Sequence, residues 1–302
     1  MPVSHFKHPL WLCLMFGLVA CASLPTTPTA TPAPTLTPTL TPLPTLTLTP
    51  IPTKTPTLIP GQPLPNGNLS RNWFLKFSDE FEGETLDTTQ WSTCYDWGCF
   101  IDSNNELECY TPDNILVADG MVRLMAEKRR VTCLNHGQEV TQEYASGMIQ
   151  SNKHFDFSYG FVEARTRGTA GKGLWPALWT VPADLSWPPE IDILEIVGHG
   201  PTIAHLTYHY TFGGVETASG ESYDGPDFSA DWHTFGVYWE PDAIRWYIDG
   251  VERFHYTEAK NITDIQMYVI ANLAVGGNWP GEPNASTVFP NYFDIDYYRV
   301  WQ

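Results

Sequence analysis

Three acidic residues stand close together in the run Trp187-Pro-Pro-Glu-Ile-Asp-Ile-Leu-Glu-Ile-Val-Gly198. They are Glu190, Asp192 and Glu195, and aliphatic residues separate them. Clustered carboxylates repel one another, so at least one of their pKa values should rise. Glycoside hydrolysis uses such a pair, with one carboxyl group ionised and the other protonated. The run therefore indicates a glycosidase site, with a solvated strand face or an acidic calcium site as the alternatives.

The spacing of the three acids favours a strand with one irregularity. Side chains two positions apart share a face, so Glu190 and Asp192 point together while Glu195 would turn away. One extra residue, a β-bulge near Ile193 or Leu194, returns Glu195 to their face. A helix fits poorly because the apolar residues form no single stripe. We predict a bulged strand whose aliphatic side chains enter the core.

The sequence around this run consists of short strands and turns. Alternation over 160–168 places Glu163 and Arg165 on a polar face opposite Val162 and Ala164. The alternating segment 244–248 ends in an Asp-Gly pair, which predicts a hairpin. No long stretch has helical periodicity. We therefore predict an all-β fold, a β-jelly-roll sandwich of two antiparallel sheets forming one domain over residues 69–302.

The N-terminal residues have the pattern of a targeting segment. Residues 1–20 contain Lys7 and a short apolar run, too short for a comfortable membrane span, so we predict a secretion signal. Leu-Val-Ala-Cys at 18–21 resembles a bacterial lipobox, which implies cleavage before Cys21 and acylation of its thiol. A plain secretion signal with an incidental cysteine is the alternative. We expect an extracellular, cell-surface protein with a lipid anchor in the membrane.

Residues 21–68 are predicted to form a stalk. Positions 25–60 contain 14 Thr and 11 Pro. Proline lacks a backbone donor and fixes φ, so neither a helix nor a sheet is expected there. An extended, semi-rigid spacer between the anchor and the domain follows from this composition.

The charge of the chain excludes one class of partner. The formal net charge is −18, and all 34 acidic residues lie beyond residue 72. Such a domain repels phosphate backbones, so we expect no nucleic-acid partner. An acidic domain on a stalk gives no reason to expect a dimer, and we predict a monomer.

Four cysteines fall within the predicted domain, at positions 94, 99, 109 and 133. An even number in a secreted domain indicates disulfides. We prefer Cys94–Cys99 with Cys109–Cys133, although the sequence leaves all three pairings open. A metal site is the alternative, but the spacings lack paired C-x-x-C units.

Several motifs resemble those of glycoside hydrolase family 16. The acidic run resembles the catalytic signature of that family in its bulge-containing, laminarinase-like form. The resemblance covers nearly all of 73–302. It is carried also by Ser-Asp-Glu-Phe at 78–81, Asn-Asn-Glu-Leu at 104–107, Gly-Leu-Trp-Pro-Ala-Leu-Trp at 173–179, the segment 272–281 and Asp-Tyr-Tyr-Arg-Val at 296–300.

The resemblance implies a concave cleft and a retaining, double-displacement mechanism without a catalytic cofactor. Glu190 matches the nucleophile, Asp192 the assisting carboxylate and Glu195 the general acid/base. Further substrate-binding residues are expected at Trp175, Trp279, Glu163, Arg165, His209, Asn104 and Asn105. For these the alternatives are core packing, a surface ion pair, a core histidine and turn formation.

The family resemblance also implies one structural calcium ion away from the cleft. Its ligands would be Glu80, the carbonyl of Gly120 and Asp296, since oxygen donors suit this ion. One departure is Pro189, where many relatives carry Gly. Proline suits the start of a strand, so this departure puts substrate preference in doubt and leaves the mechanism intact.

The expected function is endo-hydrolysis of β-1,3-glucan or mixed β-1,3/1,4-glucan. Hydrolysis of galactans and transglycosylation are alternatives within the same family. A cell-surface carbohydrate-binding module without chemistry is an alternative from another class, but a lectin needs no paired carboxylates.

Overall fold

The computed structural model describes Pro63 and residues 72–302. The predicted signal, Cys21 and almost all of the predicted stalk lie outside the described residues. Within the described part no helix is long and apolar enough to cross a membrane. Helical structure there is limited to three short 3₁₀ turns, at Asp102–Asn104, Pro112–Asn114 and Ala259–Asn261.

Eighteen strands account for the rest of the regular structure among the described residues. In chain order they are β1 Leu75–Asp79, β2 Glu108–Tyr110, β3 Ile115–Ala118, β4 Met121–Ala126, β5 Val131–Asn135, β6 Gln138–Gln142, β7 Tyr144–Ser146, β8 Met148–Gln150, β9 Gly160–Arg167, β10 Leu174–Pro182, β11 Glu190–Glu195, β12 Ile203–Phe212, β13 Val215–Asp224, β14 His233–Trp239, β15 Ile244–Ile248, β16 Val251–Tyr256, β17 Met267–Val275 and β18 Asn291–Trp301.

Two large antiparallel sheets form the sandwich. The eight-stranded sheet has the order β16-β15-β14-β9-β18-β4-β3, with β1 also paired to β18. The six-stranded sheet has the order β13-β12-β11-β10-β17-β8. Two small ribbons, β2-β7 and β5-β6, complete the described structure. The all-β prediction and its two-sheet architecture are confirmed.

The core lies between the two sheets and follows the alternation read from the sequence. Val162 and Ala164 on β9 are buried there, as are Trp246 and Ile248 on β15. Burial of such side chains contributes roughly 25 cal/mol per Å² of apolar surface. The predicted hairpin between β15 and β16 is also present, and its turn residue Asp249 has φ 51°.

The two disulfides join Cys94 to Cys99 and Cys109 to Cys133. This is the pairing that we preferred from the sequence. All four domain cysteines are therefore cross-linked, which rules out the alternative of a cysteine metal site.

Candidate active site

The acidic run forms β11, which lies inside the six-stranded sheet between β10 and β12. On the β10 side, Trp179 pairs with Asp192 and the next residue back, Leu178, pairs with Leu194. Ile193 is therefore an extra residue on β11. The register with β12 shifts at the same place, between Asp192 and Glu195. The predicted bulge is confirmed.

The bulge sorts the side chains of β11 between core and cleft. Ile191, Ile193 and Leu194 are at most 1% exposed and belong to the core between the sheets. All three acids line a single cleft of about 700 Å³ on the other face of the sheet. A regular strand would have turned Glu195 into the core, where an unpaired carboxylate is very costly.

Two indole groups donate hydrogen bonds to the outer acids. Trp187 Nε1 lies 2.7 Å from Glu190 Oε2. Trp175 Nε1 lies 3.1 Å from Glu195 Oε1. Each outer carboxyl group is thus held by the N–H of a different tryptophan, one on β10 and one in the loop that precedes β11.

The central acid has different surroundings. Asp192 is 2% exposed, and its backbone carbonyl accepts a hydrogen bond of 2.8 Å from the buried Trp246. His209 Nε2 lies 3.2 Å from Asp192 Oδ2, but the contact is too poorly aligned for a hydrogen bond and this oxygen has no hydrogen-bond partner. Asp192 therefore sits deep at the floor of the cleft, between the two outer acids.

Burial and mutual repulsion raise the pKa of all three carboxyl groups. Burial is the larger cause of the raised pKa of Glu190, followed by the charge of Asp192. Burial and then Glu195 raise the pKa of Asp192 well above its usual range. The pKa of Glu195 is raised to about 8 by burial and then by the charge of Glu190. The site therefore holds protons at neutral pH, as acid catalysis requires.

The cleft is lined by aromatic, polar and small side chains around the acids. Besides Glu190, Asp192 and Glu195 its lining residues are Trp97, Ile101, Asp102, Ser103, Asn104, Glu106, His136, Trp175, Ala177, Trp179, Val181, Leu185, Ser186, Trp187, Thr207, His209, Glu216, Asn272, Ala274 and Trp279. Flat aromatic faces beside a few polar groups are suited to sugar rings, which have apolar faces and hydroxyl edges.

The structure brings four of the predicted substrate residues into this cleft. Trp175 and Trp279 meet edge to face with ring centroids 5.4 Å apart, and Trp279 is 43% exposed. His209 and Asn104 also line the cleft. Asn105 does not line it: this residue has φ 56° after the first 3₁₀ turn and bonds to Asn278, which fits the alternative of turn formation.

The prediction that Glu163 and Arg165 bind substrate requires correction. Both lie on β9 in the eight-stranded sheet, on the face away from the core. Glu163 is 2% exposed and accepts a hydrogen bond from the Tyr297 hydroxyl, and Arg165 pairs with Asp296 at 2.8 Å. The alternation identified a shared polar face but could not tell which sheet contained it.

The predicted calcium ligands lie along β18, in the other sheet from the acids. Glu80 follows β1, and Gly120 lies in the turn between β3 and β4. Strands β1 and β4 both pair with β18. Both oxygens of Glu80 accept hydrogen bonds from Arg299, at 2.8 and 2.7 Å, and Asp296 holds Arg165. Both carboxylates are thus already neutralised by arginine, so as placed they do not fit an ion that needs them as ligands.

One group of possible metal ligands occurs among the described residues. Glu190, Asp192 and His209 each offer a ligand atom, and these atoms lie within 4.8 Å of one another. A divalent metal at this position is therefore an alternative role for the triad. The bulge argues against it, because it directs Glu195 to the same face although Glu195 is outside this group.

Three tryptophans of the cleft, at positions 97, 179 and 187, were not predicted as site residues from the sequence. Trp187 donates to Glu190 from only three positions away, so its proximity was a usable signal. Trp97 lies in the short loop closed by Cys94–Cys99, and nothing in its local pattern indicated a cleft. Its position depends on contacts distant in sequence.

Comparison with known proteins agrees with the geometry. The sequence model of the family "Glycosyl hydrolases family 16" matches residues 104–299 of the chain. Glucan endo-1,3-beta-glucosidase A1 of Niallia circulans is 35% identical over 262 residues, 76% of this chain and 38% of that protein. The beta-glucanase of Rhodothermus marinus is 31% identical over 259 residues, 76% of this chain and 86% of that protein.

A solved structure gives the same result. The laminarinase catalytic domain of Thermotoga maritima superposes with a TM-score of 0.68 at 33% identity, covering 76% of this chain and 98% of that domain. The bulged acidic strand, the sandwich and the extent of these matches together show that the chain belongs to glycosyl hydrolase family 16 and is a glycoside hydrolase.

Proposed function

We propose that the chain cleaves internal bonds of β-1,3-glucan or mixed β-1,3/1,4-glucan with retention of configuration. The observation that supports this most is the bulge at Ile193, which directs Glu190, Asp192 and Glu195 to one cleft face. The relatives named for β-glucan and laminarin support the substrate class. A cleft with aromatic residues suits an extended sugar chain.

In the first step Glu190 attacks the anomeric carbon as the bond to the leaving sugar breaks. Glu195 gives its proton to the leaving oxygen, which fits a pKa of about 8 for this group. The product is a glycosyl ester on Glu190 and an ionised Glu195. In the second step Glu195 takes a proton from water, the oxygen of that water attacks the anomeric carbon, and Glu190 leaves as a carboxylate.

The negative charge of the resting triad is assigned to Glu190. Burial and the charge of Asp192 raise the pKa of Glu190, and His209 and the Trp187 N–H partly offset this rise. Asp192 shares a hydrogen bond with Glu190 that lowers the pKa of Asp192 and raises that of Glu190, so the charge on Glu190 is assigned from its role as nucleophile. Asp192 then acts as a positioning residue between the nucleophile and the acid.

The test is chemical rescue on laminarin with azide. Glu190→Ala and Glu195→Ala should each lose glucan hydrolysis, by about 10²–10⁴-fold for the proton-transfer residue. In Glu190→Ala, azide occupies the space of the lost carboxylate, attacks the anomeric carbon from that side and gives the α-glycosyl azide. In Glu195→Ala, azide occupies the space of the lost acid/base, attacks the anomeric carbon of the glycosyl ester on Glu190 and gives the β-glycosyl azide. The opposite pattern would exchange the two roles.

A binding module without chemistry and a transglycosylase are the competing functions. Wild type that releases no reducing sugar from laminarin, lichenan, curdlan or agarose would favour the module. Longer products than the starting oligosaccharides would show transfer, because sugar instead of water then attacks the same ester. Release from agarose alone would indicate a galactan hydrolase.

The location and assembly of the protein are further proposals. We propose export, lipid anchoring at Cys21 and a stalk over 21–68 that holds the domain off the membrane. The support is the sequence pattern alone. Monomeric mass in light scattering after size-exclusion chromatography would test the proposed oligomeric state.

A further inference from the structure

One side of the cleft is built from segments that the proposed mechanism does not use. They are the loop Cys94–Cys99, the 3₁₀ turn Asp102–Asn104 and the hairpin 131–142, named here the disulfide wall. Trp97, Asp102, Ser103, Asn104 and His136 line the cleft from this wall. They supply an indole, a carboxylate, a hydroxyl, an amide and an imidazole.

Trp97 is fixed within this wall. Its ring stacks on Tyr95 with centroids 4.6 Å apart and an interplanar angle of 4°. Tyr95 is 4% exposed and meets Trp179 of the cleft floor edge to face at 5.9 Å. The disulfide between Cys94 and Cys99 closes the loop around both rings. The indole is therefore held on the cleft side of a buried aromatic stack.

The hairpin is joined to this loop by backbone contacts. The amide of His136 donates to the carbonyl of Trp97 at 2.7 Å, and the amide of Cys99 donates to Leu134 at 3.2 Å. A Cβ atom at Gly98 would lie 1.8 Å from the side-chain oxygen of Asn135, so only glycine permits this approach. The second disulfide ties the hairpin to β2 through Cys109 and Cys133.

The 3₁₀ turn is anchored by a buried acid. Glu106 is 4% exposed and accepts hydrogen bonds of 3.0 Å from the amide of Ile101 and from the side chain of Asn104. Asp102 Oδ1 in turn lies 3.7 Å from His136 Nε2. All three segments are thus held in one arrangement before any ligand arrives.

We propose that the disulfide wall is a distal subsite that binds a glucosyl unit of the β-glucan chain outside the catalytic centre. The indole of Trp97 takes the apolar face of a pyranose, and Asp102, Ser103 and His136 take its hydroxyl groups. Because the wall is ordered in advance, binding there costs little side-chain entropy. This subsite rests on the proposed glucanase function.

The register of the sheet shows which part of the wall lies near which acid. Trp97 packs in the aromatic cluster that includes Val181 of β10. In the register of β10 with β11, Thr180 pairs with Ile191, so Val181 follows beside Glu190, whereas Ala177 pairs with Glu195. The Cys94–Cys99 loop of the wall therefore lies toward the Glu190 end of β11. The 3₁₀ turn reaches the other end, where Asn278, next to Trp279, donates hydrogen bonds to the backbone carbonyls of Asn104 and Ser103.

The test compares a polymer with a short substrate. For Trp97→Ala, the ratio of kcat/KM on laminarin to kcat/KM on laminaritriose should fall about tenfold. This fall corresponds to the binding free energy of one aromatic contact. Trp232→Ala is the matched control: this half-buried indole lies over Arg165 and Arg167, outside the cleft, and its ratio should stay at the wild-type value. An unchanged ratio in Trp97→Ala would overturn the subsite.

A second pair of measurements covers loss of folding. His136 is exposed at a hairpin tip, so His136→Ala should keep the wild-type melting temperature and still lower the ratio. In the Glu190→Ala background, titration calorimetry should show that Trp97→Ala weakens the binding of laminarihexaose about tenfold, as expected for the loss of one aromatic contact. The binding of laminaribiose should weaken less. Equal weakening of both sugars would refute the subsite. If wild type cleaves no glucan, the proposed function fails, and the calorimetry still decides the subsite.

Discussion

Replacement of Trp175 by phenylalanine separates the two roles that its indole has in the cleft. Phenylalanine keeps an aromatic face but loses the N–H that lies 3.1 Å from Glu195 Oε1. That hydrogen bond stabilises the ionised form of Glu195 and lowers its pKa, against the larger effect of burial. Its loss should therefore raise the pKa of Glu195 above the wild-type value of about 8.

The size of the effect follows from the hydrogen bond. A hydrogen bond to a charged group contributes about 1.5–3 kcal/mol, and a protonated carboxyl group still accepts part of it. A difference of about 1.4 kcal/mol between the two protonation states moves a pKa by one pH unit. The general acid is active only when protonated, so the alkaline limb of kcat/KM on laminarin should move up by about one pH unit.

The matched variant is Trp187→Phe, which removes the N–H bonded to Glu190 at 2.7 Å. The nucleophile is active only when ionised, so a raised pKa of Glu190 should move the acidic limb of the kcat/KM profile to higher pH and leave the alkaline limb in place. The two substitutions thus act on opposite limbs of one pH profile. If Trp175→Phe lowers activity at all pH values without moving its alkaline limb, the indole acts by stacking alone and the reasoning is refuted.

Four further predictions follow from the same geometry. Glu195→Gln should stabilise the protein relative to wild type above pH 8 and not below pH 4, because the pKa of Glu195 is raised from 4.5 to about 8 and wild type loses stability as pH rises between these two values. The difference should be of the order of a few kcal/mol in urea unfolding, and equal stabilities of the two proteins at both pH values would contradict it. Trp246→Phe should cost about 1–3 kcal/mol and lower kcat, since it leaves the Asp192 carbonyl without its donor; unchanged unfolding and kinetics would show that the bond does not position β11. EDTA should leave both the melting temperature and the laminarin activity unchanged, because arginines already neutralise Glu80 and Asp296; a large rise in melting temperature with added calcium would restore the predicted ion. Cys21→Ser should move the protein from the membrane fraction to the soluble fraction of producing cells, and identical fractionation would count against the lipid anchor.

Much of the fold could be predicted because alternation records burial directly. The segment 160–168 gave the correct inward and outward faces of β9, and the Asp-Gly pair at 249–250 gave the correct hairpin. The bulge at Ile193 could also be inferred, since three acids cannot share a face of a regular strand at that spacing. Each of these inferences needs only the local backbone.

The parts that could not be predicted depend on which sheet a strand joins. Glu163 shares its face with Arg165 as expected, but β9 lies beside β14 and β18 and not beside β11. Trp97 reaches the cleft only through its contacts with Tyr95 and the hairpin, which are set by tertiary packing. Alternation contains no information about either arrangement.

The position of β11 explains how one strand can supply both stability and acid chemistry. Ile191, Ile193 and Leu194 contribute to the core between the sheets, so the strand cannot shift without exposing them. That same packing fixes the backbone at Asp192, and the three acids lie in the cleft, where burial is the largest cause of their raised pKa values. The protonated state that Glu195 needs near neutral pH is therefore a consequence of the bulge: it directs the carboxyl group to the cleft while its neighbours on both sides remain in the core.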